Sequence, residues 1–270
     1  MTPIDILIMA AGKGTRMKSR TPKVLQRLAG RPLLHHVLDQ AVHLQARNAI
    51  VITGHGATEV EAATAGLASV AGQYDLKFVR QEPQLGTGHA VQQAVPCLAD
   101  DGTVVVLSGD VPLTQADTLR ALVAASQAGG QLALLTVRLP DPTGYGRILR
   151  DGAGQVAGIV EHKDSSEAQR AIDEIYSGIM AVPARLLKPW LARLTNHNAQ
   201  GEYYLTDIVA MAVADGVPVV GHRIADLLQV AGVNSPLQLA ELERAHQLRQ
   251  ARALMEQGVR LADPARFDLR

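Results

Sequence analysis

An α/β fold, a mostly parallel sheet with helices on both faces, is what this sequence predicts, and two observations carry the prediction. Short β-branched runs alternate with Ala- and Leu-rich stretches of helical length, and most of the runs are apolar at successive residues rather than at every second one. Strands buried on both faces read this way, and strand–helix alternation places them side by side in one sheet. The composition agrees. Of 270 residues 47% are hydrophobic but only 3% aromatic, so a large core has to be built from Ala, Val, Leu and Ile.

The elements follow in order. Ile4 to Met9 reads as a buried first strand that runs into a glycine-containing basic loop. Leu33 to Leu44 reads as a helix, Ala49 to Thr53 as a strand, Ala57 to Ala68 as a helix and Leu76 to Val79 as a strand. Ala90 to Leu98 is the next helix, Thr103 to Leu107 a strand, Thr114 to Ala128 a helix and Leu132 to Val137 a strand. From Pro140 the texture changes to glycine-rich turns. Asp151-Gly152-Ala153-Gly154 between two short runs, Arg147 to Arg150 and Gln155 to Gly158, is a hairpin signal and marks a small inserted β region. Ser235-Pro236-Leu237-Gln238 has the cap residue, first-turn proline and N3 glutamine of a helix start, and Gly258 stands where a helix would stop. Residues 235–257 are therefore expected to form one long amphipathic C-terminal arm, a connector rather than a catalytic element.

Lys plus Arg and Asp plus Glu are both 26, so no global field favours nucleic acid or a membrane. No stretch reaches the roughly 20 consecutive apolar residues of a membrane span, the N-terminus lacks a signal-peptide pattern, and a cytoplasmic location is expected. The single Cys97 has no partner for an internal disulfide and reads as a small apolar residue.

Positive charge is instead concentrated locally. Met9-Ala10-Ala11-Gly12-Lys13-Gly14-Thr15-Arg16-Met17 is followed by Lys18, Arg20 and Lys23. Glycines let backbone N–H groups approach phosphate oxygens, while Lys and Arg supply charged donors. A Rossmann dinucleotide fingerprint needs a third glycine where Met17 stands, and a Walker A loop needs a closing Gly-Lys-Ser/Thr that is absent. Taken alone, Gly-x-Gly also suits a polar turn. In open α/β sheets ligands bind beyond the carboxyl ends of the strands, where both this loop and Ser108-Gly109-Asp110 fall.

The loop from Ala10 to Lys23, closed by Thr21-Pro22-Lys23-Val24-Leu25, resembles the signature loop of the sugar-1-phosphate nucleotidylyltransferases. Further segments resemble, in order, the uridylyltransferase half of the bacterial bifunctional N-acetylglucosamine-1-phosphate uridylyltransferase / glucosamine-1-phosphate acetyltransferase family. They are Gln84 to Ala90, Gly109 to Leu113, Asp141 to Ile148, Ile159 to Asp164, Asn198 to Tyr204 and Gly232 to Asn234. The resemblance implies a Rossmann-like nucleotidylyltransferase domain over residues 1–232 and a linker with the helical arm over 233–270. In that family a left-handed parallel β-helix, which carries the acetyltransferase site, follows the segment resembling Asp263 to Arg270; the expectation is a truncated bifunctional enzyme rather than a single-activity protein.

The same resemblance implies the chemistry: Mg²⁺-dependent transfer of UMP from UTP to N-acetyl-α-D-glucosamine 1-phosphate, giving UDP-N-acetylglucosamine and diphosphate for peptidoglycan and lipopolysaccharide synthesis. Neither nucleic acid nor membrane is a partner, and the family's full-length chains form homotrimers through the β-helix. By the resemblance, Arg16 and Lys23 are the catalytic cations, and Asp110 and Asn234 hold Mg²⁺. The nucleotide lies against Met9, Ala10, Ala11, Gly12, Lys23, Gln81, Gly86, Thr87, Ser108, Gly109 and Asp110. The sugar lies against Gly146, Glu161, Tyr176, Tyr204, Thr206 and Asn234.

Two departures bear on the sugar. Tyr176 stands where the family usually has Asn, and Ser108 where an aromatic residue is common; Ser177 is the candidate to replace the missing amide. His55 and His89 have no partner motif and read as structural. Two other readings stay open: a nucleotidylyltransferase for another sugar or base, and a catalytically silent nucleotide-sensing module. Retention of Arg16, Lys23, Asp110 and Asn234 argues against silence.

Overall fold

Strand β1 (Ile4–Ala10) is buried along nearly its whole length, because it is flanked in the sheet and covered on both faces. The structure, a computed structural model, describes residues 2–71 and 74–270. The strands after β1 are β2 (Arg27–Leu28), β3 (Arg31–Pro32), β4 (Asn48–Thr53), β5 (Asp75–Arg80), β6 (Thr103–Ser108), β7 (Leu132–Arg138), β8 (Arg147–Arg150), β9 (Val156–Val160), β10 (Glu174–Pro183) and β11 (Val219–Arg223). The helices are α1 (Leu33–His43), α2 (Ala57–Ala71), α3 (Thr87–Ala94), α4 (Ala116–Gly129), α5 (Glu167–Arg170), α6 (Ala184–Arg193), α7 (Asp207–Ala214) and α8 (Pro236–Glu256).

The main sheet has the order β11-β7-β10-β6-β1-β4-β5. β1 pairs in parallel with β4 and β6, which places Leu7 beside Ile50 and Val106. Successive side chains of a strand point to opposite faces, so β1 feeds two cores. Ile6 and Ile8 pack with Leu34 and Val37 of α1 and Leu119 and Leu122 of α4. Leu7 packs with Val91 of α3, Trp190 of α6 and Ile208 of α7. All strands on the main path run one way except β10, which is antiparallel to both β6 and β7.

The five strands and four helices expected up to Val137 are present, with two differences. α3 begins at Thr87 rather than Ala90 and ends at Ala94, where Pro96 turns the chain into a 3₁₀ segment. Between β6 and β7 lies β10, a strand the sequence did not disclose because Ser177-Gly178 breaks its apolar run. That break is a β-bulge: the register shifts between Tyr176 and Met180, and Gly178 has φ 88. Ser177 Oγ donates to the Leu135 carbonyl at 2.8 Å and accepts from Ile179 N at 3.3 Å. The hairpin β8–β9 joins β10 through Ile175 and Arg147, so the small inserted region extends the main sheet.

The long arm is α8. Ser235 caps it by accepting from Gln238 N at 3.2 Å, while Gln238 Oε1 accepts from Asn234 N at 2.8 Å. Its Leu242 joins Met17, Leu28, Leu33 and Val233 in a third small core, so the basic loop, the start of α1 and the start of α8 are held together. Among the described residues no helix is long and apolar enough to cross a membrane.

Glu174, at the start of β10, is nearly buried and receives both Arg150 Nε and Nη2 at 2.9 and 2.7 Å, with Thr136 Oγ1 at 2.9 Å. The Arg150 hydrogen bonds, assisted by Thr136 and opposed by burial, hold its carboxyl below the usual range. A lowered folded pKa contributes stability above the unfolded carboxylate pKa and loses it as pH falls through the folded value. Arg150→Met should therefore cost about 2 kcal/mol at pH 7. The deficit should shrink as pH drops below about 4. Denaturant unfolding at both pH values checks this; an equal deficit at each would contradict it.

Candidate functional site

Three chain segments far apart in sequence meet at the carboxyl edge of the sheet. Lys23 follows the basic loop after β1, Asp110 follows β6, and Asn234 precedes α8. The Lys23 ammonium pairs with Asp110 Oδ2 and donates to Asn234 Oδ1 at 3.1 Å. Backbone geometry brings the two acceptors together, since Val233 N donates to the Asp110 carbonyl at 2.9 Å and the Val233 side chain is fully buried. Gly14 lets Lys23 fold back: it has φ 57, and a Cβ there would stand 2.7 Å from Lys23 Cβ.

Beside this triad lies a cavity of about 300 Å³. Met9, Ala10, Ala11, Gly12, Lys23, Gln81, Gly86, Thr87, Ser108 and Asp110 all line it, as the sequence reading expects, and the structure adds Val24, Gln84, Ala90 and Glu202. Gly109 does not line it; its N–H is engaged with the Met9 carbonyl at 2.9 Å, which sets the turn that presents Asp110. At Gly12 a Cβ would meet nothing within 4 Å. No protein atom therefore requires glycine at this position.

A second cavity of about 210 Å³ adjoins the first, sharing Met9, Thr87 and Ser108. Gly146, Glu161, Tyr176 and Thr206 line it, with Ser177 and Gly178 beside Tyr176 and with Gly144, Tyr145 and Leu205, chain neighbours of the expected residues that the sequence reading did not name. Thr206 Oγ1 donates to Glu161 Oε1 at 2.8 Å. Burial pushes the Glu161 carboxyl up, Asp207, Asp164 and Glu202 add to the effect, and the Thr206 hydrogen bond opposes it. Tyr176 is 7% exposed and its hydroxyl has no hydrogen-bond partner among the described residues. Burial and the nearby Glu161 push that phenol well up, so it is a neutral donor.

The structure does not bring every expected residue to the sugar cavity. Tyr204 is absent from its lining and donates instead to Asp164 Oδ2 at 3.1 Å. Asn234 belongs to the Lys23 triad. Ser177, the candidate substitute for a missing amide, does line the second cavity, but its hydroxyl is engaged within the β10 bulge. Arg16 is exposed, close enough to the Tyr145 phenol, with Asp110, to bear on its ionisation. Among the described residues none of Lys13, Arg16, Lys18 or Arg20 has an ion-pair partner, so the charge of the loop that follows the cavity-lining Gly12 is uncompensated.

Asp110 and Asn234 fit a hard divalent cation. Both offer oxygen, one of them charged, and both already converge on one positive charge, the Lys23 ammonium. Two protein oxygens suit Mg²⁺, which takes few protein ligands and leaves the rest to phosphates and water. Among the described residues no group of three or more His, Cys, Asp and Glu side chains could hold a metal.

Residues 6–261 match the family described as MobA-like NTP transferase domain. The bifunctional protein GlmU of Acidovorax sp. (strain JS42) is 80% identical over 270 residues, 100% of this chain and 56% of that protein. GlmU of Polaromonas sp. (strain JS666 / ATCC BAA-500) is 68% identical over 281 residues, 100% of this chain and 58% of that protein. The chain thus spans a little over half the length of these relatives. Among solved structures, UDP-glucose pyrophosphorylase from Acinetobacter baumannii superposes with a TM-score of 0.68 at 20% identity, covering 94% of this chain and 99% of that one; the fold is shared.

A divalent cation held by Asp110 and Asn234 would have to compete with the Lys23 ammonium for the same two oxygens, so removal of Lys23 should tighten metal binding to the nucleotide-free protein. Lys23→Met should lower the Kd for Mn²⁺ by about tenfold, the effect of one charged hydrogen bond. Electron paramagnetic resonance titration of free Mn²⁺ reads this directly; a weaker or unchanged Kd would mean that the two oxygens do not form the cation site.

Proposed function

The chain belongs to the MobA-like NTP transferase domain family, and we propose that it transfers UMP from UTP to N-acetyl-α-D-glucosamine 1-phosphate in the cytoplasm, releasing diphosphate. The product, UDP-N-acetylglucosamine, serves cell-envelope synthesis. One observation carries the proposal: two adjoining cavities of different size share Met9, Thr87 and Ser108, with Lys23 and Asp110 on the wall of the larger one. A nucleotide and a phosphorylated sugar placed in them would meet at the shared wall, beside the basic loop.

In the reaction a sugar-phosphate oxygen attacks the α-phosphorus of UTP, and the bond from that phosphorus to the diphosphate oxygen breaks. Direct displacement at phosphorus needs no protein nucleophile, so catalysis rests on alignment and on charge. The first cavity orients the nucleoside through Gln81, Gly86 and Thr87. Gly12 leaves room for a phosphate against the backbone, and Lys13 and Arg16, without ion-pair partners in the loop that follows it, would meet the negative charge gathered by the departing diphosphate. Lys23 exchanges Asp110 for a phosphate oxygen. A divalent cation, Mg²⁺ in this reading, would be held by Asp110 and Asn234 and would screen the triphosphate. Glu161, fixed by Thr206, accepts hydrogen bonds from sugar hydroxyls.

The test is diphosphate release from UTP, dTTP, CTP and GTP, each paired with N-acetylglucosamine, glucose and galactose 1-phosphates. UTP with the acetamido sugar should give the highest kcat/KM. Faster turnover of glucose 1-phosphate or galactose 1-phosphate would assign another acceptor, and release from no pair would remove the enzymatic reading. Asp110→Asn and Asn234→Ala should each lower the metal-dependent rate by roughly 10²-fold, the scale of one transition-state electrostatic contact, with unchanged circular dichroism. A full rate in both variants would contradict the cation assignment.

Tyr176 gives a sharper check of the sugar cavity. Its buried hydroxyl lacks a partner, which costs stability, and an acceptor on the bound sugar would satisfy it. Tyr176→Phe should leave Tm equal or higher while raising KM for the sugar phosphate about tenfold and leaving KM for UTP unchanged. A lowered Tm with unchanged KM would make Tyr176 a packing residue only.

A further inference from the structure

We propose that His89 is a positioning residue: by holding the side-chain amide of Gln81, it makes the first cavity accept an imide nucleobase, uracil or thymine, and reject cytosine. This deepens the reading of that cavity as a nucleoside triphosphate site and rests on it.

Gln81 follows β5 directly, is 3% exposed, and lines the first cavity. Its backbone is fixed by a hydrogen bond from Gln81 N to the Thr53 carbonyl at 2.8 Å and by Gln84 Nε2, which donates to the Gln81 carbonyl at 3.1 Å. Gln81 Nε2 lies 2.9 Å from the Gly86 carbonyl oxygen and 3.2 Å from His89 Nδ1. A carbonyl oxygen only accepts, so the Gly86 contact requires the NH₂ group on that side and excludes the flipped amide. An amide NH₂ only donates, so His89 Nδ1 must present its lone pair, and the ring is the neutral tautomer protonated at Nε2. Both N–H bonds of Gln81 are then engaged within the protein. Among the described residues nothing donates to Gln81 Oε1, which leaves the amide one function to offer a ligand: acceptance.

His89 is itself held. It sits in the first turn of α3, with its ring tilted against Tyr203 at a centroid separation of 6.2 Å. Around it, Gly88 N donates to the Tyr203 carbonyl at 2.7 Å and Tyr203 N to the Leu85 carbonyl at 2.8 Å. The loop from Leu85 and the segment from Tyr203 thus clamp the histidine that aims Gln81.

The consequence for recognition follows from lone pairs. Uracil and thymine carry N3–H, a donor that matches Gln81 Oε1. Cytosine carries an unprotonated N3 whose lone pair would face that oxygen, and a buried acceptor against an acceptor is unfavourable. Without His89, one Gln81 N–H is released and can turn into the cavity, so the amide no longer presents acceptance alone.

Calorimetric titration of the full chain with UTP, CTP and N3-methyl-UTP tests this. The unmodified protein should bind UTP at least tenfold more tightly than either of the others. His89→Leu should weaken UTP about fivefold and bring the three affinities to within roughly twofold, while the Kd for the sugar phosphate stays unchanged. A variant that retains the full preference would overturn the proposal, as would an unmodified protein that binds UTP and CTP alike. Failure to bind any of the triphosphates would instead remove the nucleotide-site reading on which the inference stands. Should His89→Leu not fold, ¹⁵N NMR of the unmodified protein decides: Nδ1 unprotonated at neutral pH supports the proposal, and Nδ1–H overturns it.

Discussion

A single cation joins the parts of this site that the chain supplies from far apart. The Lys23 ammonium lies between Asp110 and Asn234, 87 and 211 positions away in sequence. A charge that is only 15% exposed needs compensation, so each of the three groups constrains the others. The backbone is built to keep them together. Gly14 folds the loop against Lys23, the Met9 carbonyl sets the turn at Gly109, and Val233, buried with Met17, Leu28, Leu33 and Leu242, fixes the residue before Asn234. The helical arm α8 is therefore more than a connector. Its first turn, through Ser235 and Gln238, holds the segment that carries Asn234.

Electrostatics divides the site into two chemistries. The loop around Arg16 carries positive charge without acidic partners, which suits an anionic ligand at the rim. The second cavity has the opposite character: Glu161 is partly buried near other carboxylates, and the neutral, unpartnered Tyr176 hydroxyl lies close enough to feel its charge. Hydroxyls that both donate and accept satisfy such a pair. Between the two lies the wall of Met9, Thr87 and Ser108, where the strand ends β1 and β6 and the start of α3 meet. The sheet's contribution is to put these ends at one edge.

Much of the fold was legible because burial leaves a mark on composition. Strands β1, β4, β6 and β7 are largely apolar runs, β5 is an edge strand marked only by Leu76, Phe78 and Val79, and the helices between them are Ala- and Leu-rich. β10 was hidden because its bulge at Ser177-Gly178 interrupts the run, and its antiparallel direction follows from pairing across long sequence separation, which a local pattern cannot encode. β11, Val219–Arg223, is an edge strand with Gly221, His222 and Arg223 in a five-residue run, too polar to stand out. The lining of the first cavity was legible nearly residue by residue because its glycines and charges sit in contiguous motifs. The lining of the second was less so. Tyr145 and Leu205, next to expected residues but not themselves expected, reach it as well, Tyr204 turns to Asp164, and the contact of His89 with Gln81 exists only in three dimensions.

The central claim is that Lys23 and a divalent cation share Asp110 and Asn234 in turn, the lysine moving to a phosphate when nucleotide and metal arrive. A high-resolution crystal structure with Mg²⁺ and a non-hydrolysable UTP analogue tests it most directly. Asp110 and Asn234 oxygens should lie about 2.1 Å from the metal, with Lys23 Nζ in hydrogen-bond contact with a phosphate oxygen. Lys23 still paired to Asp110, with the metal bound elsewhere, would contradict it.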